Sequence, residues 1–341
     1  MDVVTLETFD GRTQAAAAEA LPALVWLIPL LYPLAAPAMA WSAALAHTGG
    51  IAGVAALIAS VSWAMSGPFV AVLVLNYLDQ TGRSRSQHRL AVSGALFAAI
   101  TPPFYAGLAN WLALAHAGAF WGEAFYGTAA LVAVVSVTTT PSASAPVVSL
   151  RRVHGYAAAL ITVFALAHVA NHAAAIASLS AHTAVLSVLR PIYRERIIEI
   201  ALVASIVLQI VSGVVLTWRS HLRKTTAIRN VQAVSGLYLA VFLGSHLLAT
   251  LGGRQHADTT FAWATGGPSG LMARAGLLFM LPYYSLSVLA LFVHLGCQAR
   301  WNLARILPVT SARWISHGLM ATGVLAAAVI ALAACGVHIL S

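Results

Sequence analysis

Residues 201–218 read ALVASIVLQIVSGVVLTW, eighteen residues without a charged side chain. As an α-helix rising about 1.5 Å per residue, this stretch is about 27 Å long, close to the thickness of a bilayer's hydrocarbon core of about 30 Å. Similar apolar runs recur along the chain, for example over residues 21–46. Strands of a membrane barrel would alternate between apolar and polar residues instead. The run therefore predicts a membrane-spanning α-helix.

The composition extends this prediction to the whole chain. Of its 341 residues, 60% are hydrophobic and only 8% are charged, with a mean hydropathy of +0.86. Soluble domains carry about 25% charged residues, so a soluble fold is excluded. The net charge of +9 does not indicate nucleic-acid binding, because the basic residues lie between the apolar segments rather than among exposed aromatic residues. The predicted fold class is an all-α polytopic transmembrane helical bundle.

Hydropathy predicts nine spans, at about 21–46, 51–78, 89–116, 122–146, 152–177, 197–219, 228–251, 271–299 and 313–339. Nine spans place the most basic loops on one side, namely 79–88, 147–152, 220–229 and 300–313. Lys and Arg accumulate on the side from which a membrane protein is inserted. We therefore expect an integral protein of a bacterial or mitochondrial inner membrane, with its N-terminus on the cytoplasmic or matrix side.

The polar stretch TTTPSASAP at residues 138–146 divides the chain. It separates a polar tail (1–20) and a four-helix membrane half (21–146) from a five-helix membrane domain (147–341). Nearly all of the candidate chemistry follows this boundary.

Two spans of the second half align without a gap and share a histidine. RRVHGYAAALITVFALAHVANH (151–172) matches RNVQAVSGLYLAVFLGSHLLAT (229–250), so that Phe164 aligns with Phe242 and His168 with His246. Both spans run in the same direction, and each histidine follows its matching arginine by 17 residues. Two imidazoles at one depth are suited to clamp one haem b, with His168 and His246 as ligands of the iron. The alternative is a pair of histidines that only hydrogen-bond between helices.

A second haem is also compatible with the pattern. His154 precedes His168 by 14 residues, which puts both on one helix face about 21 Å apart. Its matching position on the other span is Gln232, which is not an expected haem ligand. We favour His294 over His317 as the partner of His154, and an empty second site stays an alternative. His172, one turn beyond His168, is the rival ligand at the first site.

Basic residues also mark the connection at 190–196, RPIYRER. Arg190, Arg194 and Arg196 are either contacts for haem propionates or snorkelling residues of an interfacial hairpin. Seven other histidines lie in loops or at span ends and are interpreted as interfacial polar residues: His47, His88, His116, His182, His221, His256 and His338.

The segment RNVQAVSGLYLAVFLGSH resembles the membrane-anchor cytochrome b subunits of succinate dehydrogenase and fumarate reductase, and also the related Mcp1-type mitochondrial membrane proteins. The resemblance covers about residues 150–300. It implies a cytochrome-b-like C-terminal bundle that carries electrons between a quinone and partner redox subunits, as a non-catalytic or quinone-binding subunit of an oxidoreductase complex in a respiratory chain.

In the anchor family a His-Arg pair followed by Ser-Gly borders the quinone site. QHRLAVSGA is similar and suggests His88, Arg89 and Ser93 as quinone contacts, but two extra residues precede its Ser-Gly. Aligning this AVSG with that of the seventh span places Phe104 opposite His246, so the first half resembles a diverged copy without its ligand.

Two other functions compete with a cytochrome. A haem-free structural or adapter protein of Mcp1 type would use the histidines only to join helices. A proton-coupled transporter would bury carboxylates near the middle of the membrane, but Glu123 and Glu199 approach spans only near their ends.

Overall fold

The computed structural model describes residue 20 and residues 22–78, 85–115, 118–138, 147–220 and 225–340. Most of the predicted polar tail (1–20) and of the linker (138–146) lies outside these ranges, as do His116 and His221. The described part is helical and contains no strand. Its helices are α1 (Pro22–His47), α2 (Ile51–Met65), α3 (Gly67–Leu78), α4 (Arg85–Leu114), α5 (Trp121–Thr138), α6 (Val147–Ala174), α7 (Leu179–Tyr193), α8 (Arg196–Ser220), α9 (Ala227–Gly253), α10 (Phe261–Ala264), α11 (Met280–Leu303) and α12 (Val309–Ala334).

The membrane-spanning helices follow the predicted spans closely. Within the described ranges, eight helices are long and apolar enough to cross a bilayer, and the number becomes nine when α2 and α3 count as one bent span. The prediction of an all-α polytopic bundle is confirmed. Helix α7 is an additional element, because it folds in the connection that the sequence suggested only as a basic loop between two spans.

The second predicted span is broken rather than continuous. Helices α2 and α3 meet at Ser66 with a bend of 49°. Pro68, two residues after Ser66, lacks a backbone N–H donor. It also restricts the backbone of the residue before it. That residue is Gly67, and a Cβ atom there would overlap the carbonyl oxygen of Ala98 on α4. The break therefore brings the backbone of α3 directly onto α4.

Large apolar side chains cover the outside of the bundle. Val163 is 72% exposed, and Leu73 and Leu325 are each 68% exposed. A soluble monomer rarely exposes contiguous apolar surface on this scale, whereas lipid tails cover it without cost. The surface is that of an integral membrane protein.

Helix α9 joins the two halves of the molecule. It packs against α4 on one side and against α8 and α11 on the other. At the contact with α4, a Cβ atom on Gly107 would lie only 2.5 Å from the Cβ of Ser245, so the glycine permits the close approach. This packing positions α9 as one wall of a cavity between the helices.

Candidate functional site

A cavity of about 650 Å³ runs between helices α6, α8, α9 and α11. This volume falls within the range of about 300–1,000 Å³ that is usual for cofactor and ligand sites. Apolar side chains form most of the wall, and the imidazoles that line it are His154, His168, His172, His246 and His294. Because the lining on α6 extends from Arg151 to His172, the cavity follows the helix for almost its whole length.

At one end, which we call the His168 end, α6 and α9 bring two histidines together. The ring centres of His168 and His246 are 6.0 Å apart. Each ring stacks on the phenylalanine one turn before it, at 5.3 Å from Phe164 and 5.1 Å from Phe242. The aligned Phe and His positions of the two spans thus adopt the same local arrangement.

The spacing of these two rings suits a shared metal atom. An imidazole nitrogen binds a first-row metal at about 2.0–2.1 Å, and the ring centre lies about 1.1 Å behind it, so two axial imidazoles have ring centres about 6 Å apart. In the described part of the chain, no hydrogen-bond partner contacts the His246 ring. Its nitrogens are therefore not engaged by those residues.

His172 lies beside this pair. Its Nε2 is 3.0 Å from Nε2 of His168, so one of the two nitrogens donates to the other. Coordination of a metal by His168 requires this contact to open, and coordination by His172 is the alternative. Both candidate ligands that the sequence suggested therefore lie at this end of the cavity.

His182 was interpreted as an interfacial residue, which the structure corrects. It is only 2% exposed, because α7 folds back over the end of α6. Its ring stacks on His172 at 5.4 Å, and its Nε2 is 3.3 Å from Nδ2 of Asn171. Burial, followed by the nearby positive charge of Arg190, lowers the pKa of His182. The neutral imidazole is therefore the favoured form.

At the opposite end, the His154 end, His154 has two polar partners on α8. Its Nδ1 is 2.8 Å from Ser212 Oγ, and its Nε2 is 2.9 Å from the Nε2 of Gln209. Ser212 donates its own proton to a backbone carbonyl, so it accepts from Nδ1–H, while the Gln209 amide donates to Nε2. His154 thus holds the tautomer that has its electron pair on Nε2, and this pair accepts from Gln209.

His294 reaches the same end of the cavity from α11. Its Nδ1 donates to the backbone carbonyl of Gln232 over 3.0 Å. A bond from Nδ1–H to a backbone carbonyl is a common way of orienting a histidine that binds metal through Nε2. Gln232, which matches His154 in the internal repeat, therefore contacts His294 through its backbone carbonyl. Its side chain bonds to Gln298 instead.

Four of the other suggested residues lie away from this cavity. His317 is on an exposed face of α12, where its nearest described aromatic neighbour is Trp314 at 6.5 Å. His88, Arg89 and Ser93 are at the start of α4 and do not line the cavity. Ser93 instead bonds to Ser136 of α5 over 3.0 Å.

The three arginines of the 190–196 connection have different surroundings. Arg194 lines the cavity and donates to Thr259 Oγ1 over 3.2 Å. Arg190 pairs with Asp258 over 2.7 Å, and Arg196 is exposed outside the cavity.

Several arginines that the sequence did not suggest also line the cavity: Arg254 at the His168 end, and Arg151, Arg229 and Arg305 at the His154 end. Arg254 also pairs with Glu199. The matching positions of Arg151 and Arg229 in the repeat were the available signal. Arg305 had no such signal, because its place depends on how α11 packs.

The residues fit haem better than a bare metal ion. Among the described residues, no group of three or more His, Cys, Asp or Glu side chains converges as a metal ion requires. Haem needs only two axial ligands, since its own ring supplies the others. The buried Oε1 of Gln209 has no hydrogen-bond partner among the described residues, and such a group costs about 1–3 kcal/mol. Only a hydrogen-bond donor would remove this cost, and the ionised propionates of haem, which accept, do not supply one.

No family model matches the sequence, and comparisons with curated proteins and with solved structures find no match. The resemblance to the anchor cytochromes therefore stays a prediction.

Proposed function

We propose that this protein is a b-type cytochrome that carries electrons within the membrane, as a subunit resembling the anchors of succinate dehydrogenase and fumarate reductase. The observation that carries the proposal is the 6.0 Å spacing of His168 and His246 across a cofactor-sized cavity. One haem b would be held there. A second would be held by His154 and His294 at the other end.

The chain's own groups would bind and orient the cofactor. Hydrogen bonds from Nδ1 of His154 and His294 put the electron pair of each ring on Nε2. At His154, iron would have to replace the Gln209 amide that now donates to Nε2. Arginines at both ends of the cavity supply positive charge and N–H donors for the propionate groups, with Arg194 and Arg254 at one end and Arg305 at the other. Apolar side chains between these ends exclude water. Bound haem would supply one-electron transfer, which the polypeptide alone does not provide.

The two sites would together carry charge across much of the bilayer. His154 and His168 are 14 residues apart on α6, which corresponds to about 21 Å of a core about 30 Å thick. Electrons would pass between a quinone in the membrane and partner redox subunits. The proposed orientation puts the N-terminus and the His154 end on the cytoplasmic or matrix side, as the basic loops predict.

One observation favours the haem-free adapter as a second candidate. Both nitrogens of His154 already have partners on α8, and His168 contacts His172 directly. Histidines that serve only to join helices would show such contacts. In that case the cavity would hold lipid or another apolar ligand.

The deciding experiment is a dithionite-reduced minus oxidised spectrum, with haem quantification, of the protein purified in mild detergent. We expect a b-type α band that decreases by about half in His168→Ala and in His246→Ala. His317→Ala is the matched control, because it removes an exposed imidazole outside the cavity, and it should keep the full band. A wild-type protein without an α band, isolated from membranes with adequate haem supply, would contradict the cytochrome and support the adapter.

A further inference from the structure

A short sequence occurs three times in the chain, on three different helices. It reads LAVSG at residues 90–94 of α4, QIVSG at 209–213 of α8 and QAVSG at 232–236 of α9. The shared part is Val-Ser-Gly. Each copy contacts an aromatic or imidazole ring of a neighbouring helix, and that ring carries an N–H group.

On α8 the copy holds His154. Ser212 accepts a hydrogen bond from Nδ1 over 2.8 Å. A Cβ atom on Gly213 would lie 3.4 Å from Cε1 of the same ring, so the glycine lies directly against the imidazole.

On α9 the copy holds His294. The carbonyl of Gln232, three residues before Ser235, accepts from Nδ1 over 3.0 Å, and Ser235 Oγ is 3.5 Å from the same nitrogen. A Cβ atom on Gly236 would be 2.7 Å from Cε1 and 3.0 Å from Nδ1. Only glycine leaves room for the ring in this position.

On α4 the copy holds an indole. Trp26 donates from Nε1 to the carbonyl of Leu90 over 3.0 Å, and Leu90 again stands three residues before the serine. A Cβ atom on Gly94 would lie 2.9 Å from Cδ1 and Nε1 of Trp26. An indole only donates hydrogen bonds and has no electron pair for a metal. This copy therefore places a ring but provides no metal ligand.

We propose that the Val-Ser-Gly segment positions a ring of a neighbouring helix. Ser212 and Gly213 would be positioning residues for His154, and Ser235 and Gly236 for His294, the two candidate haem ligands at the His154 end. The glycine admits the ring against the helix. The serine, or the carbonyl three residues before it, accepts the ring N–H. At His294 this leaves Nε2 without a partner among the described residues. At His154, Nε2 accepts from Gln209 of the same helix, and iron would have to replace that contact. The inference rests on the proposed cytochrome function, because only bound iron gives Nε2 its role.

Removal of a hydrogen-bond acceptor from Nδ1–H lowers the basicity of an axial imidazole and so favours reduced over oxidised iron. Ser212→Ala removes the hydroxyl that bonds His154. We expect the protein to keep both haems while one of its two midpoint potentials rises by about 59 mV, which corresponds to a tenfold change in preference for a one-electron couple. Ser212→Thr retains a hydroxyl and should restore the wild-type potential.

Ser205→Ala is the matched control, because Ser205 is on the same helix but does not line the cavity. It should leave both potentials unchanged. Redox titration of the purified variants, followed at the α band, makes the comparison. The positioning role of Val-Ser-Gly is refuted if Ser212→Ala binds both haems with unchanged potentials, or if Ser205→Ala produces the same shift. Absence of haem from the wild type would instead refute the cytochrome itself, so the two failures are distinguishable.

Discussion

The substitution Gly236→Ala tests the His154 end through a single added methyl group. Its Cβ would be 2.7 Å from Cε1 of His294, whereas ordinary van der Waals contact begins at 3.4 Å, so the ring must move by about 0.7 Å. Binding residues need to stay within about 0.5 Å of their productive positions. Loss of ligand orientation of this kind lowers metal affinity about 10–100-fold. We therefore expect haem content to fall from two per chain towards one.

Gly244→Ala provides the matched control on the same helix. A Cβ atom on Gly244 would be 3.7 Å from Ile210 Cδ1, which is ordinary contact, and Gly244 does not line the cavity. Both substitutions raise helix propensity by about 1 kcal/mol, so helix destabilisation cannot explain a difference between them. The assay is haem quantification of proteins purified in parallel. The reasoning is refuted if Gly236→Ala retains two haems with unchanged midpoint potentials.

Three further predictions concern other parts of the molecule. Arg194→Gln should accelerate haem loss, measured as transfer to apomyoglobin, because a charged hydrogen bond to a propionate is worth about 1.5–3 kcal/mol; an unchanged rate would exclude that contact. Tyr283→Phe removes the hydroxyl that lies 3.1 Å from Ser245 Oγ and should destabilise the protein by about 1 kcal/mol, seen as a lower midpoint of thermal unfolding in detergent; an unchanged midpoint would contradict this. Burial raises the pKa of Cys335, so its alkylation, followed by mass spectrometry, should be slower at neutral pH than that of an exposed thiol and accelerate only under alkaline conditions; rapid alkylation at pH 7 would refute it.

The sequence predicted the spans well because the bilayer imposes a strong rule. A helix that crosses lipid needs a long apolar run, and such runs are visible without knowledge of packing. The break at Ser66 was missed, since average hydropathy does not register a bend. The dipeptide Gly67-Pro68 was the local signal for it.

The candidate site was predictable where it depends on one helix or on the repeat. Placing His168 and His246 at the same depth required only the matching register of two spans. The burial of His182 was not predictable in this way, because it depends on α7 folding back onto the end of α6. The contribution of Arg254 likewise depends on how separate helices and turns pack around the cavity.

The significance of Val-Ser-Gly was also only partly visible. AVSG is recognisable in the sequence on two helices, but the copy that contains Ser212 on α8 differs from it and was missed. Its shared feature is a neighbouring ring, and that ring belongs to a different helix in each case. Contacts between helices, rather than the motif itself, reveal what the segment does.

The most direct test of the cytochrome is the number of haems bound by the wild-type chain, measured as the pyridine haemochrome of protein purified in mild detergent. Two b-type haems per chain are predicted, one between His168 and His246 and one between His154 and His294. Protein purified from haem-replete membranes without any bound haem would contradict the account.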